Sequence, residues 1–318
     1  MSDILAQLAG LYATSPGLFT ATVGIVGLLV GSFLNVVIHR VPLMLEREWK
    51  AQAAELLMDG GASGPAGTTT APAQPAAPFN LVTPPSRCPS CGAPIRPWQN
   101  IPVISWLLLR GRCHGCAAPI SVRYPLVELL TAVLSGWIAW HFGVTVQTLC
   151  ALGVTWSLIA LTGIDIDTQY LPDWITLPLL WAGLVAAVVL GPVAGLPLPV
   201  SPRDAILGAA AGYLSLWLVF HAFRLLTGKE GMGYGDFKLF AALGAWLGPG
   251  PWGLKLLLVI LLSAGTGAVL GIAMIVLRGR DRAAPMPFGP YLATAGFIAM
   301  LYGDSILTAY LQFSGPRR

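Results

Sequence analysis

Charge is scarce in this sequence. Only 10% of the 318 residues are Asp, Glu, Lys or Arg, whereas 55% are hydrophobic, and a soluble domain usually carries about 25% charged residues. This scarcity excludes an ordinary soluble globular protein, because so apolar a core would need a far larger polar shell. Nucleic acid is also excluded as a partner, since the basic residues do not cluster with exposed aromatic side chains on a polar stretch.

Long apolar runs take the place of the missing polar surface. Runs such as "LFTATVGIVGLLVGSFLNVVI" and "LLLVILLSAGTGAVLGIAMIVL" are long enough to cross roughly 30 Å of hydrocarbon. The first run lacks the cleavage site of a secretory signal, so we expect a retained helix. We predict an all-α polytopic membrane protein with about eight transmembrane helices. Their predicted ranges are 17–38, 125–141, 146–164, 174–191, 205–225, 237–249, 254–277 and 288–311. The sixth helix is too short to span a membrane comfortably.

Lysine and arginine are distributed unevenly between the two sides of these predicted helices. If the N-terminus is outside, the inner side collects all of the 18 basic residues except Arg203, Lys255, Arg317 and Arg318. Cytoplasmic loops of membrane proteins carry such an excess of Lys and Arg. The net charge of +4 therefore mainly reflects membrane topology.

One sizeable polar region separates the first two predicted helices. Within it, residues 59–79 are rich in Gly, Ala, Pro and Thr and nearly without charge, which is typical of a disordered insert. We therefore expect three parts, namely an N-terminal transmembrane helix at 1–38, a cytoplasmic loop domain at 39–124 and a transmembrane bundle at 125–318.

The same loop holds four of the five cysteines. They form two Cys-x2-Cys pairs separated by 21 residues, and each pair is followed by Gly or Ala and then by Pro-Ile: Cys88, Cys91, Cys113 and Cys116. Two such turns supply four thiolates to one tetrahedral ion and leave no open position, which predicts a structural zinc rather than a catalytic metal. Disulfides would need an oxidising compartment, contrary to the predicted cytoplasmic side. We expect the fifth cysteine, Cys150, to serve packing.

A few acidic residues lie in or near the predicted membrane segments, where each charge costs about 2.5–3.5 kcal/mol at the centre. The topology brings "GIDIDTQYLPD" and "GMGYGDFKLF" to the same depth on the same side. Two carboxyls in one site can work as an acid–base pair, because their repulsion keeps one protonated while the other is ionised. Asp236 is one member, and the residues alone do not choose between Asp165, Asp167 and Asp173 for the other.

Other roles for these acids remain open. Asp236 and Asp173 could cap the helices that follow them, and Asp167 could be a solvated charge at the interface. Glu128 could face the bundle or pair with Arg123, and a structural role is favoured.

Three glycines alternate in front of Asp236, at Gly231, Gly233 and Gly235. Glycine adopts backbone angles closed to other residues and presents no Cβ to an approaching chain. An extended peptide could therefore lie against this loop, beside the carboxylate.

These stretches resemble a known family. The segments "GSFLNVVIHRVP" (31–42), "RYPLVELLTA" (123–132), "DIDTQYLPD" (165–173), "GMGYGDFKLFAALGAWLG" (231–248) and "PFGPYLA" (287–293), with the cysteine loop, look like those of the bacterial type IV prepilin peptidases, which also serve type II secretion. The resemblance covers nearly the whole chain, apart from the low-complexity insert.

The resemblance implies a bifunctional, multi-pass enzyme of the bacterial inner membrane, with its active site at the cytoplasmic face. Such an enzyme cleaves the basic leader of prepilins and pseudopilins after a glycine and N-methylates the new N-terminal residue, with S-adenosylmethionine as methyl donor. The two catalytic aspartates would match Asp165 and Asp236, and the four cysteines would bind zinc. The sequence has no βαβ glycine motif for a nucleotide, so the residues of the methyl-donor site stay unassigned.

Two other classes of function compete with this reading. A transporter or proton carrier could use the acids as a relay, but it would be expected to place them at mid-membrane and to show internal repeats. A non-enzymatic assembly scaffold could dock its partners through the zinc loop.

Overall fold

The computed structural model of the chain describes residues 10–59, 78–192, 198–229, 231–278 and 286–314. Eight long helices make up most of this described part, and its β-structure is limited to two isolated bridges. The helices are α1 Pro16–Asp59, α2 Arg123–Phe142, α3 Val146–Thr168, α4 Asp173–Val189, α5 Pro202–Thr227, α6 Tyr234–Leu247, α7 Leu254–Arg278 and α8 Gly289–Ser314. The predicted all-α architecture is confirmed, while most of the predicted disordered insert lies outside the described residues.

Six of these helices, α1, α2, α3, α5, α7 and α8, are long and apolar enough to cross a membrane. The other two are shorter, because α4 has 17 residues and α6 has 14. The chain is therefore a multi-pass helical membrane protein in which two short helices are packed among six longer ones.

Helix α6 lies in the core of the bundle. Phe237, Leu239 and Phe240 are completely buried, as expected for a helix that is apolar on all sides. A Cβ on Gly212 of α5 would lie only 2.6 Å from the carbonyl oxygen of Phe240. Glycine on α5 thus lets the two backbones pack closely, which is how membrane helices associate without a hydrophobic driving force.

Helices α1 and α2 pack against each other in the same way. A Cβ at Gly27 would lie 2.7 Å from the Ser135 hydroxyl oxygen, and one at Gly31 would lie 2.7 Å from the Cα of Glu128. Small residues therefore set the spacing of this pair too.

Helix α1 continues far beyond its predicted end at residue 38. It runs without a break through Pro42 to Asp59. Arg40, which is 8% exposed, donates hydrogen bonds of 2.8 Å to the Asn80 carbonyl oxygen and 2.7 Å to that of Pro84. The polar loop is thus attached to the extension of α1.

Candidate active site

The last turn of α3 carries Asp165, which is 4% exposed. Its Oδ2 atom accepts a 2.9 Å hydrogen bond from the backbone N–H of Gly289, the first residue of α8. A Cβ at position 289 would lie 2.6 Å from that oxygen, so glycine is required for this approach. The start of a helix carries partial positive charge, which stabilises an ionised carboxylate.

Asp236 lies in the first turn of α6 and is 7% exposed. Gly233 occupies the N-cap position of that helix and no side chain caps it, so the alternative of Asp236 as the cap is wrong. Gly235, the residue before Asp236, and Gly289, whose N–H binds Asp165, both lie against Leu171. The structure therefore brings together two buried acids that are 71 positions apart in the sequence.

Leu171, in the connection between α3 and α4, packs between the turn that carries Asp165 and the turn that carries Asp236. Gln169 ends α3 in the left-handed conformation, with φ of 54°. A Cβ at Gly235 would lie 2.7 Å from the Leu171 Cβ, and one at Gly289 would lie 3.3 Å from the Leu171 Cδ2. Leu171, only 4% exposed, thus fills the space between the starts of α6 and α8.

The neighbouring acids Asp167 and Asp173 are in ion pairs. Nη1 of Arg123 lies 2.6 and 2.7 Å from the two carboxylate oxygens of Asp167. Nζ of Lys238 lies 2.7 Å from both oxygens of Asp173. Asp173 is the first residue of α4 and not its cap, which is Pro172. Both acids are partly exposed, and both hold helices of the bundle together.

Burial and pairing thus separate the four acids into two classes. Within the described part of the chain, Asp165 and Asp236 are buried and have no Lys or Arg partner. Two neighbouring carboxyls resist ionising together, which favours one protonated and one ionised acid. Burial and pairing therefore favour Asp165 over Asp167 and Asp173 as the partner of Asp236, and the catalytic role of the pair stays a prediction.

Glu128 has a different partner from the one considered above. The alternative of an ion pair with Arg123 is wrong, because Arg123 binds Asp167 and the backbone of Gly163. Glu128, 8% exposed, instead accepts a 2.7 Å hydrogen bond from the backbone N–H of Val103. It attaches the cysteine loop to α2.

The three glycines before Asp236 contribute less backbone freedom than expected. Gly233 has a φ of −81° and Gly235 lies within α6, so neither of these two uses the backbone angles closed to other residues. Gly235 is needed for the close contact with Leu171, whereas a Cβ at Gly233 would meet nothing nearer than an Asp236 oxygen at 3.8 Å. A side chain at position 233 would therefore meet little, and the expectation that a peptide lies against this loop stays a prediction.

Gly289 is the residue of this site that reasoning from the residue types did not single out. Its only signal in the sequence is its place in "PFGPYLA", and it lies 124 positions from the carboxylate to which it donates.

The four cysteines form two matching knuckles. In the first, Cys88 N–H donates to the Ala93 carbonyl oxygen at 2.9 Å, and in the second Cys113 N–H donates to that of Ala118 at 2.8 Å. The turn closes at Gly92, with φ of 69°, in one knuckle and at Ala117, with φ of 57°, in the other. The repeated pattern of spacing therefore corresponds to a repeated backbone geometry.

The sulfur positions fit a tetrahedral ion. All four Sγ atoms lie within 4.8 Å of one another, and those of Cys88 and Cys116 are 3.8 Å apart. Zinc–sulfur bonds of about 2.3 Å in a tetrahedron imply sulfur–sulfur distances of about 3.8 Å. Backbone N–H groups of Cys91 and Ser90 lower the pKa of the Cys88 thiol to about 6, which favours the thiolate that a metal requires. The cluster could therefore hold zinc.

Comparison with known proteins gives a consistent assignment. Residues 25–142 match the bacterial peptidase A24 N-terminal domain, and residues 152–272 match the type IV leader peptidase family. The chain is 54% identical to the prepilin leader peptidase/N-methyltransferase of Pseudomonas aeruginosa, over 95% of this chain and 97% of that protein. It is 52% identical to the protein of the same name from Aeromonas hydrophila, over 96% and 99% of the two chains.

No solved structure matches the chain at a significant level. The type IV leader peptidase match contains both Asp165 and Asp236, and the two relatives align over nearly their whole length. This chain belongs to the type IV leader peptidase family.

Proposed function

We propose that the protein is a bifunctional prepilin-processing enzyme, which cleaves the basic leader of type IV prepilins and type II pseudopilins after a glycine and then N-methylates the new N-terminus. The observation that carries the peptidase assignment is the buried pair Asp165 and Asp236, to which the described residues supply no Lys or Arg partner. The names of relatives about half identical to this chain support both activities.

In the mechanism we propose, Asp165 is the ionised member of the pair. The N–H of Gly289 donates to its Oδ2 atom, and the start of α8 stabilises its negative charge. Asp236 is the protonated member, because two adjacent buried carboxyls resist ionising together. Titration then belongs to the pair rather than to either residue.

Hydrolysis follows from these two protonation states. Asp165 removes a proton from water as the water oxygen attacks the scissile carbonyl carbon, while Asp236 donates its proton to the carbonyl oxygen. The tetrahedral intermediate collapses when Asp165 passes its proton to the leaving amine nitrogen and Asp236 regains a proton from the hydroxyl group. Neither a metal nor a covalent nucleophile is needed for these steps.

The substrate's position is proposed from the open space at the start of α6. A Cβ placed on Gly233 would meet no atom nearer than an Asp236 oxygen at 3.8 Å, which supports the proposal that an extended peptide lies there against Asp236. The substrate's apolar helix would then enter sideways between membrane segments. The distribution of Lys and Arg supports a bacterial inner-membrane location with this end of the bundle facing the cytoplasm.

The methyl transfer would use S-adenosylmethionine. The described residues contain no β-strand, so they do not provide a βαβ nucleotide site, and we assign no residues to the methyl donor. Zinc at Cys88, Cys91, Cys113 and Cys116 would be structural, since four thiolates leave no open position. The division into parts at 1–38, 39–124 and 125–318 stays a prediction.

Conservative substitution of the acids tests the peptidase assignment. Asp165→Asn and Asp236→Asn should each lower the rate of cleavage by about 10²–10⁴-fold, the range typical of lost general acid–base catalysis. Asp167→Asn and Asp173→Asn serve as matched controls that should leave cleavage nearly unchanged. Incubation with a purified pilin precursor in detergent, followed by mass spectrometry of the new N-terminus, reports cleavage and methylation separately.

The same experiment distinguishes the competing functions. Cleavage at the wild-type rate by either Asp165→Asn or Asp236→Asn would contradict the catalytic assignment. A proton carrier would produce no new pilin N-terminus at all. A scaffold would lose partner binding on chelation of its metal without any proteolysis to lose.

A further inference from the structure

The segment 101–109, which we call the apolar segment, connects the two cysteine knuckles. It contains a five-residue helix, Ile104–Leu108. Ile104, Leu107 and Leu108 are 54%, 60% and 75% exposed, and Ile101 is 44% exposed. Residues at positions i, i+3 and i+4 share one helix face, so this short helix presents a wholly apolar face outward. Such a patch on a polar loop marks a surface made for an apolar partner.

The opposite side of the apolar segment is attached to the protein. The indole N–H of Trp106 donates to the Ile120 carbonyl oxygen at 3.1 Å, and a Cβ at Gly111 would lie 2.8 Å from the Trp106 ring. Trp106 therefore fixes which side of the segment faces the second knuckle. These contacts of Trp106 keep Leu107 and Leu108 on the outer side of the segment.

The hydrogen bond between Val103 and Glu128 indicates how far the apolar segment lies along α2 from the start of that helix. Glu128 lies five residues along α2 from Arg123, about 7.5 Å deeper in the bundle at 1.5 Å per residue. Arg123 itself is level with Asp167, to which it is bound at 2.6 Å. Helical side chains lean toward the helix N-terminus, so Val103, bonded to the Glu128 carboxylate, lies less deep than the Glu128 Cα.

The packing of α1 also places Glu128 below the end of α3. Gly31 lies against the Cα of Glu128, at 2.7 Å from a Cβ placed on it, whereas Ile38 lies against Gly163. Gly31 and Ile38 are seven residues apart on α1, a difference of about 10 Å along its axis. The Val103–Glu128 contact is therefore below the end of α3, within the span of the membrane helices.

The residues around the apolar segment are those expected at the boundary between the acyl chains and the headgroups of a bilayer. On α2, at the level of Glu128, Leu126, Leu129 and Leu130 are 57%, 51% and 49% exposed, as residues facing lipid would be. The segment is followed by the exposed residues Arg110 and Arg112. Basic residues placed just outside an apolar insertion attract anionic lipid headgroups.

We infer that the apolar segment dips into the leaflet on the loop side of the bundle, with its Ile and Leu side chains among the acyl chains and the two arginines at the headgroups. Amphipathic helices lie in the interface in this way, with one face among the acyl chains. The lipid contact, together with the Glu128 hydrogen bond, would hold the cysteine knuckles against the membrane surface. The occupant of the exposed face is phospholipid, not another protein.

Site-specific photocrosslinking of the full-length protein tests this inference. The photoreactive residue p-benzoylphenylalanine is placed at Leu108, or at Val82 as a control, since Val82 is also apolar and is 82% exposed on the same loop. The protein is reconstituted in nanodiscs of phosphatidylcholine and phosphatidylglycerol, irradiated and digested. Mass spectrometry should find a phospholipid adduct at position 108 and little or none at position 82.

Each other outcome overturns the inference. A crosslink from position 108 to a second protein chain would identify a protein-binding surface instead. Absence of any lipid adduct would place the segment in water, and equal adducts at both positions would mean that lipid contact is not a property of the segment.

A second measurement covers failure of the photoreactive variant to fold. Leu108→Glu should release the segment from lipid and make trypsin cleavage after Arg110 several-fold faster in nanodiscs, whereas Val82→Glu should not. Unchanged trypsin cleavage in Leu108→Glu, with zinc content equal to that of the wild type, would contradict insertion.

Discussion

The contact between Gly289 and Asp165 gives the sharpest prediction about the candidate active site. Alanine at 289 would place a Cβ 2.6 Å from Oδ2 of Asp165, whereas ordinary contact begins at 3.4 Å. The carboxylate or the start of α8 must therefore shift by about 0.8 Å, and the 2.9 Å hydrogen bond lengthens. A misplacement of about 1 Å can cost about 10²-fold in rate, which corresponds to roughly 2.7 kcal/mol of transition-state stabilisation.

We therefore expect Gly289→Ala to lower kcat for leader cleavage by about 10²-fold with KM little changed. The reason is that the altered atoms face the carboxylate and not the space proposed for the peptide. Cleavage of a pilin precursor is followed in detergent by mass spectrometry, and thermal unfolding of each variant is measured alongside. Methylation of a peptide that already has the mature N-terminus should persist if its site is separate.

Two other glycines of α8 provide matched controls. A Cβ at Gly303 would make only ordinary contacts, the nearest at 3.6 Å, so Gly303→Ala should change neither cleavage nor stability. A Cβ at Gly296 would lie 2.6 Å from a methyl group of Leu243, so Gly296→Ala should lower stability by about 1–3 kcal/mol through overpacking. If Gly289→Ala cleaves within about threefold of the wild type, roughly 0.7 kcal/mol, the positioning role of Gly289 is refuted. If it unfolds as Gly296→Ala does, a purely structural role explains it.

Three further predictions concern the ion pairs and the cysteine knuckles. Asp167→Asn and Asp173→Asn should each lower the unfolding free energy by no more than about 1 kcal/mol, because both ion pairs are partly exposed. Thermal unfolding of the two variants measures this loss. A larger loss would mean that the pairs are buried in the membrane-bound protein. Cys88→Ser should abolish stoichiometric zinc, measured by atomic absorption, and should speed trypsin cleavage of the loop, whereas zinc content equal to that of the wild type would exclude the four-sulfur site. Ala117→Gly should slow the same trypsin cleavage, because alanine adopts a φ of 57° there, where the other knuckle has Gly92, and glycine adopts that angle without strain. Faster cleavage would show that Ala117 does not strain the knuckle.

The helices were predictable because their signal is local. Each apolar run of the sequence forms a helix, because a segment that crosses hydrocarbon must satisfy its own backbone hydrogen bonds. The end of α1 was not predictable by this rule. Beyond residue 38 the sequence becomes polar while the helix continues to Asp59, so an apolar window finds the edge of the membrane and not the end of the helix.

The choice among the acids was not predictable, because it depends on distant partners. Arg123 lies 44 positions from Asp167, and Lys238 lies 65 positions from Asp173. Without the fold, these two acids are as suitable as Asp165 for a pair with Asp236. Only packing reveals that cations already neutralise two of the three.

The length of α6 determines where Asp236 lies relative to the end of α5. Helix α6 ends beside the start of α5, where a Cβ at Gly248 would lie 3.3 Å from Asp204. At its other end, the rings of Tyr234 and Phe237 contact Phe220 of α5, with centroids 5.3 and 5.5 Å apart. Helix α6 therefore begins at the level of Phe220.

Helix α5 continues seven residues past that level, to Thr227, which is about 10 Å at 1.5 Å per residue. Asp236, in the first turn of α6, consequently lies about 10 Å from the end of α5, measured along that helix. Asp165 lies in the last turn of α3, and Gly289, which binds it, begins α8, so α5 extends past the level at which these other helices end. If the two acids are catalytic, we expect the 14-residue length of α6 to favour substrates whose scissile bond lies where a flexible segment meets a membrane helix.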